Sequence, residues 1–273
     1  MYITNQPEVA CIAQSAGVDY VFIDMEYIGK DARQGGMDTV QCRHTIDDIL
    51  KVRNVLDRSS LLVRINPVHE ATSCYSNTTE EINAVIDAGA DILMLPMFRS
   101  MQEVEVFLHS INGRAKAMLL AETPEACKLL PEISLMSDVH SVHVGLNDLH
   151  LALNKKFMFE LLADGFVEQI TQPLRQVGKT FGFGGIARLG YGILPAEKVI
   201  AEHYRLGSSQ AILSRSFCNV DKMESLDAVE ELFHQEVVRI REAEQMFAGF
   251  SQDAFELNRR DVVRLVQKVI DNK

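Results

Sequence analysis

Eight short apolar runs, separated by stretches with helical periodicity, constrain this chain more than any other feature of it. The runs are residues 1–4, Tyr20–Asp24, Leu61–Ile65, Ile92–Leu95, Ala117–Ala121, Val139–Val144, Thr180–Phe183 and Ala211–Leu213. Several lack period-two alternation, as expected of parallel strands buried on both faces. Helix signals lie between them. Ser100 and Glu103 make a capping box ahead of Val104, Phe107, Leu108 and Ile111, with Gly113 as the stop. Thr78 and Glu81 repeat the box before Ile82, Val85 and Ile86, Thr123-Pro124 opens another helix, and Pro195 opens one that Gly207 ends. Strands alternating with helices imply right-handed βαβ units. Eight units in about 215 residues predict a (β/α)8 barrel. A doubly wound open sheet has the same local signature, but no GxGxxG follows the first strand.

The length of 273 residues exceeds a typical barrel of about 250 only slightly. Strand signals stop after Phe217, so residues 1–217 are expected to form the barrel. Residues 218–273 read as two charged helices broken near Gly249-Phe250-Ser251. Such an extension is expected to pack on a neighbouring subunit, giving a homo-oligomer. Lys and Arg total 27 against 38 Asp and Glu, a net charge of −11 that argues against a nucleic-acid partner. No apolar run reaches the roughly 20 residues of a membrane helix, and Met1–Pro7 lacks the pattern of a secretory signal. The five cysteines are scattered without a CxxC pair, as in a reduced, cytoplasmic protein.

In such a barrel, chemistry collects at the C-terminal ends of the strands. Those ends offer Asp24 and Glu26, Arg64 and Asn66, Glu122, then Asn147 and Asp148. Two carboxylates from neighbouring strands suit Mg²⁺ or Mn²⁺, and an arginine beside them suits a carboxylate or enolate. Each residue also has a structural reading: Glu122 and Asp148 fall near helix starts, where the dipole favours acids. Their coincidence at one rim favours a site. Gly182–Arg188 and Ser214-Arg215 are candidates for phosphate contact, with a tight turn as the rival reading for the glycines. His140 and His143, three apart on a strand, face opposite ways and cannot chelate one metal together. Lys116 and Lys179 lie at strand starts, the wrong end for a Schiff base.

Taken in order, several pieces resemble the HpcH/HpaI aldolase/citrate lyase family. They are Ala16-Gly17-Val18-Asp19 leading to Phe22–Glu26, Val63–Pro67, Ile86–Asp91 with Leu95-Pro96-Met97, Ala121-Glu122-Thr123, and Val144–Leu149. The resemblance implies a metal-dependent barrel in which Glu122 and Asp148 hold Mg²⁺ or Mn²⁺. It implies that Arg64 contacts the keto acid and steadies its enolate, while backbone N–H groups around Gly145, Leu146 and Asn147 receive the substrate carboxylate. Asp24 and Glu26 match acids that orient water or neighbouring groups, and Asp87 matches the acid that pairs with a catalytic histidine. Tyr27 stands where the aldolases carry that histidine, and Leu146 where they carry a proline. His44, His69 or a metal-bound water are the stand-ins for the base. Gly29–His44, with Arg33, Gly35, Gly36 and Arg43, is read as an insertion over the rim that contacts a larger or anionic second substrate.

The expected activity is a carbon–carbon lyase or aldolase acting on a pyruvate-like 2-oxo acid, with an aldehyde or phosphorylated co-substrate. The alternatives are a phosphoenolpyruvate-type or acyl-CoA lyase on the same barrel, and a metabolite-binding barrel that has lost its base.

Overall fold

A computed structural model describes residues 1–29 and 44–272. Eight parallel strands close into a barrel in chain order. They are β1 (Tyr2–Ile3), β2 (Tyr20–Asp24), β3 (Ser60–Arg64), β4 (Ile92–Leu95), β5 (Lys116–Ala121), β6 (Val139–Val144), β7 (Thr180–Ile186) and β8 (Gln210–Leu213). Between them run α1 (Pro7–Ser15), α2 (Ile46–Arg53), α3 (Thr78–Asp87), α4 (Met101–Ile111), α5 (Pro124–Ser134), α6 (Leu146–Ala152), α7 (Glu160–Ala163), α8 (Phe166–Gln176) and α9 (Ala196–Leu206). Two long helices, α10 (Leu226–Ala248) and α11 (Gln252–Asp271), follow β8.

Three of the predicted helix starts hold, at α4, α5 and α9. Ser100 and Glu103 form the reciprocal box of α4, and the Thr123 hydroxyl accepts from the Ala126 N–H at the head of α5. One start differs. Asn77 caps α3 by accepting from the Glu80 N–H, and Thr78 is the first helical residue. The Glu81 carboxylate is fully buried and turned toward Asn66 and His69, so it has no part in a box. A box absent from the expectation, Thr45 with Asp48, starts α2.

Side-chain parity builds the interior. Phe22, Leu62, Ile92, Met94, Met118 and Leu120 form a cluster inside the barrel, while a larger apolar layer joins the sheet to the helices. Moving up each strand by two residues keeps a side chain on the inner face. Phe22 is therefore followed by Asp24, Leu62 by Arg64 and Leu120 by Glu122. The apolar layer thus gives way to a charged one at the C-terminal rim.

The seam between first and last strands is narrow. The β1–β8 register contains the single pair Tyr2 and Leu213, with the Leu213 N–H donating to the Met1 carbonyl at 2.7 Å. Residues after β8 reinforce it. The Tyr2 ring packs edge-on against Phe233 of α10 at 4.8 Å, and its hydroxyl donates to the Cys218 carbonyl at 3.4 Å. Helix α10 lies against α1 and α9, the place of the barrel's eighth helix, and α11 lies against α7 and α9. The segment after Phe217 thus packs on its own barrel rather than standing off it. Among the described residues, no helix is long and apolar enough to cross a membrane.

Candidate active site

A cavity of about 450 Å³ opens at the C-terminal ends of the strands. Asp24, Arg64, Glu122, Gly145, Asn147 and Asp148 all line it, with Leu146 and His143. The rim layer set by strand parity thus also forms part of this cavity's wall.

Arg64 is its organising cation. Its Nε and Nη2 donate to the two oxygens of Asp24, each at 2.8 Å, and its Nη1 lies 3.3 Å from Glu26 Oε2. Both acids are buried, and Asp24 is the direct register partner of Arg64 across β2 and β3. Burial opposes the arginine's charge, but Asp24, Glu26 and then Glu122 outweigh it and raise its pKa well above the ordinary value. The guanidinium also stands 5.8 Å over the Phe22 ring.

Glu122 follows β5 and is buried. Its Oε1 accepts the Met97 N–H at 3.1 Å. Met97 has φ of 55°, a left-handed conformation that is rare for a side chain of its kind and that occurs here beside the site. Gly145 lets β6 pass close to Glu122. A Cβ there would meet Glu122 Cβ at 2.7 Å and Oε2 at 2.8 Å. Gly145 is also the cap residue of α6, whose first turn holds Leu146, Asn147 and half-buried Asp148.

The candidate bases are less favourably placed. Tyr27 is 41% exposed and is not among the described residues lining the cavity. Its N–H and that of Ile28 both donate to Asn66 Oδ1 at 3.0 Å. His44 Nδ1 accepts the Asp24 N–H at 3.0 Å, so that lone pair is committed. His69 has Nε2 at 2.8 Å from Glu81 and Nδ1 against the Glu70 carbonyl, so acceptors face both ring nitrogens. Asp87 is not brought to this cavity. It is the exposed last residue of α3, and the end of a barrel helix leads into the start of the next strand, at the face opposite the cavity. Of the Gly29–His44 segment, residues 30–43, including Arg33, Gly35, Gly36 and Arg43, lie outside the described residues.

Two further residues bear on the site: Asn66, already among the strand-end candidates, supports it from outside the cavity wall, and His143, not singled out for it, lines the cavity. Asn66, fully buried, ties the Tyr27–Ile28 turn to Glu81 through its amide. His143 lies at the cavity floor, its Nε2 paired with the Gly184 carbonyl at 3.1 Å. Burial pushes its pKa down to about 4, so the ring is neutral. The three-residue spacing from His140 shows that one of the two must face inward, and reading which one would have found it.

Among the described residues, no group of three or more His, Cys, Asp or Glu is arranged to hold a metal. Glu122 and Asp148 offer two carboxylates on one cavity, an oxygen donor set that fits a hard cation such as Mg²⁺ or Mn²⁺ rather than zinc.

The sequence matches the HpcH/HpaI aldolase/citrate lyase family over residues 2–182, more than half of the chain. A search of curated proteins finds no match. Among solved structures the chain is similar to an HpcH/HpaI aldolase from Desulfitobacterium hafniense DCB-2 at 17% identity and a TM-score of 0.58, over 88% of this chain and 92% of that one. It is similar to the citrate synthase SbnG at 15% identity and 0.56, over 90% and 92%. It is also similar to a citrate lyase beta subunit from M. tuberculosis, solved with oxaloacetate and magnesium, at 16% identity and 0.54, over 85% and 95%. At these identities the structural likeness speaks for the barrel alone. On the sequence match, the chain belongs to the HpcH/HpaI aldolase/citrate lyase family.

Proposed function

We propose that the protein is a divalent-metal-dependent carbon–carbon lyase that releases, or adds, a pyruvate-like 2-oxo acid. The observation that carries this reading is the meeting of Arg64, Glu122 and Asp148 on one cavity, with Asp24 and Glu26 holding the arginine in place. The family match and the oxaloacetate and magnesium of the M. tuberculosis relative point the same way.

Glu122 and Asp148 are the residues that would hold Mg²⁺ or Mn²⁺, leaving the remaining positions to substrate and water. When bound, the metal supplies Lewis-acid polarisation of the substrate's oxygens. Arg64 supplies the second positive charge, facing the 2-oxo oxygen on which negative charge grows as the C–C bond breaks. Its fork is already fixed by two hydrogen bonds to Asp24, so little reorganisation is needed at the moment of reaction. The substrate carboxylate faces the first turn of α6, whose leading N–H groups, those of Leu146 and Asn147, have no acceptor within the helix. Gly145 keeps that turn close to Glu122. His143 adds no charge to the floor, because burial keeps its imidazole neutral. The substrate's hydroxyl proton leaves to water at the open rim and water returns a proton to the enolate carbon; among the described residues, His44 Nδ1 and both His69 nitrogens are committed and Tyr27 stands outside the cavity wall.

The test is pyruvate release from 4-hydroxy-2-oxo acids, with and without EDTA. Activity should vanish on chelation, return with Mg²⁺ or Mn²⁺, and fall to background in Glu122→Ala. Turnover that survives both treatments would overturn the reading.

A further inference from the structure

A second cavity, of about 370 Å³, lies on the same rim beyond the ends of β7 and β8. It shares Arg215 and Cys218 with the main cavity, so the two adjoin. Arg188 and Lys222 line it, and no Asp or Glu among the described residues does. In a chain of net charge −11, this wall is a local inversion of sign. The main cavity, by contrast, carries Asp24, Glu122 and Asp148.

Arg188 is the informative residue. Arg53, Arg64, Arg205 and Arg241 each pair with a carboxylate at 2.8–3.0 Å. Among the described residues Arg188 forms no such pair, and none of them gives its buried Nε a hydrogen-bond partner. Its guanidinium instead lies 4.2 Å over the ring of Tyr191, which fixes the plane of the fork. A partly buried guanidinium without a carboxylate is costly unless another group supplies the negative charge. The loops after strands seven and eight are also where barrels of this kind commonly receive phosphate.

We propose that this second cavity is an oxyanion subsite, which receives the distal phosphate or carboxylate of a substrate whose 2-oxo acid head occupies the main cavity. The substrate assignment rests on the lyase reading above, whereas anion binding at the subsite does not. The planar fork of Arg188 matches two oxygens of one anion, and exposed Lys222 adds a point charge at the mouth. The co-substrate class that follows is an aldehyde bearing a phosphate or carboxylate, rather than a neutral one.

Isothermal titration calorimetry with inorganic phosphate and, separately, glutarate tests the subsite on the intact protein, its Arg188→Gln and Lys222→Ala variants, with circular dichroism to confirm folding. At least one probe should bind the unaltered protein. Its affinity should fall about tenfold in Arg188→Gln and less in Lys222→Ala. Phosphate binding more tightly than glutarate identifies a phosphate-bearing co-substrate, and the reverse order a carboxylate-bearing one. Absence of binding by both probes, or unchanged affinity in both folded variants, overturns the proposal. Pyruvate with Mg²⁺ is titrated in parallel and should bind all three proteins alike. If pyruvate fails to bind while phosphate binding stays sensitive to Arg188, the lyase reading falls and the subsite stands.

Discussion

Arg64 on β3 grips Asp24 on β2 through two hydrogen bonds of 2.8 Å, made by adjacent residues in strand register. The pair is both a structural clamp between neighbouring strands and the reason a buried cation faces the cavity in one orientation. Lysine in its place would keep the charge but not the two-pronged hold. Arg64→Lys should lower kcat/KM for pyruvate release by about 10²–10³-fold, in line with loss of a preorganised oxyanion donor. Steady-state kinetics on the folded variant checks this, and a loss smaller than about threefold would show that the fork is dispensable.

Gly145 works through the space it leaves. An alanine methyl would overlap Glu122 Oε2 and Cβ at under 3 Å and push that carboxylate aside. Gly145→Ala should raise the Mg²⁺ concentration needed for half-maximal activity by about 10–100-fold, the usual scale for disturbing a metal ligand's support. A metal titration of activity reads this directly, and an unshifted midpoint would contradict it.

Tyr27 can be separated from the chemistry by removing one oxygen. A general base contributes about 10²–10⁴-fold, so its loss would be conspicuous. Because the phenol is exposed and stands off the cavity wall, Tyr27→Phe should retain activity within about threefold. A hundredfold loss would return the proton-transfer role to this residue.

Two buried imidazoles make stability depend on pH. Burial pushes His143 down to about 4 and His203 to about 3, the latter stacked on Phe183 at 3.8 Å. Unfolded, both titrate near 6.5. Below that pH the unfolded chain takes up protons that the folded chain refuses, so their contribution is complete above 6.5 and is lost as pH falls toward 4 and 3. The urea midpoint should therefore drop between pH 7 and pH 5, and His203→Gln should flatten that slope. Equal midpoints at the two pH values would refute the assignment.

The strands were legible because parallel strands covered on both faces need uninterrupted apolar runs, and those at Tyr20–Asp24, Ile92–Leu95 and Val139–Val144 match the observed bounds. The metal-ligand candidates were legible because a side chain's place at a strand end follows from its position in the run. Glu81 misled for a physical reason. Its spacing from Thr78 satisfies the pattern of a cap, but buried Asn66 and His69 claim its oxygens, a tertiary demand that spacing does not encode. Asp87 shows the converse. A residue two before Gly89 ends a helix, and a helix end in this architecture belongs to the lower face, so its distance from the cavity was readable from order alone. The pairing of both His69 nitrogens and the hold of the Asp24 N–H on His44 required coordinates.

The seam at β1 carries one further consequence, for the order of events during folding. Tyr2 meets Leu213 in register, Cys218 by hydrogen bond and Phe233 by ring contact, all more than 200 residues away. Such contacts return free energy only after the whole intervening chain has been gathered, so they form late and repay a large loop-closure cost. The ring of strands is therefore expected to close last where it is thinnest and to open there first. Helix α10 then serves as the latch that joins the two ends of the chain's path.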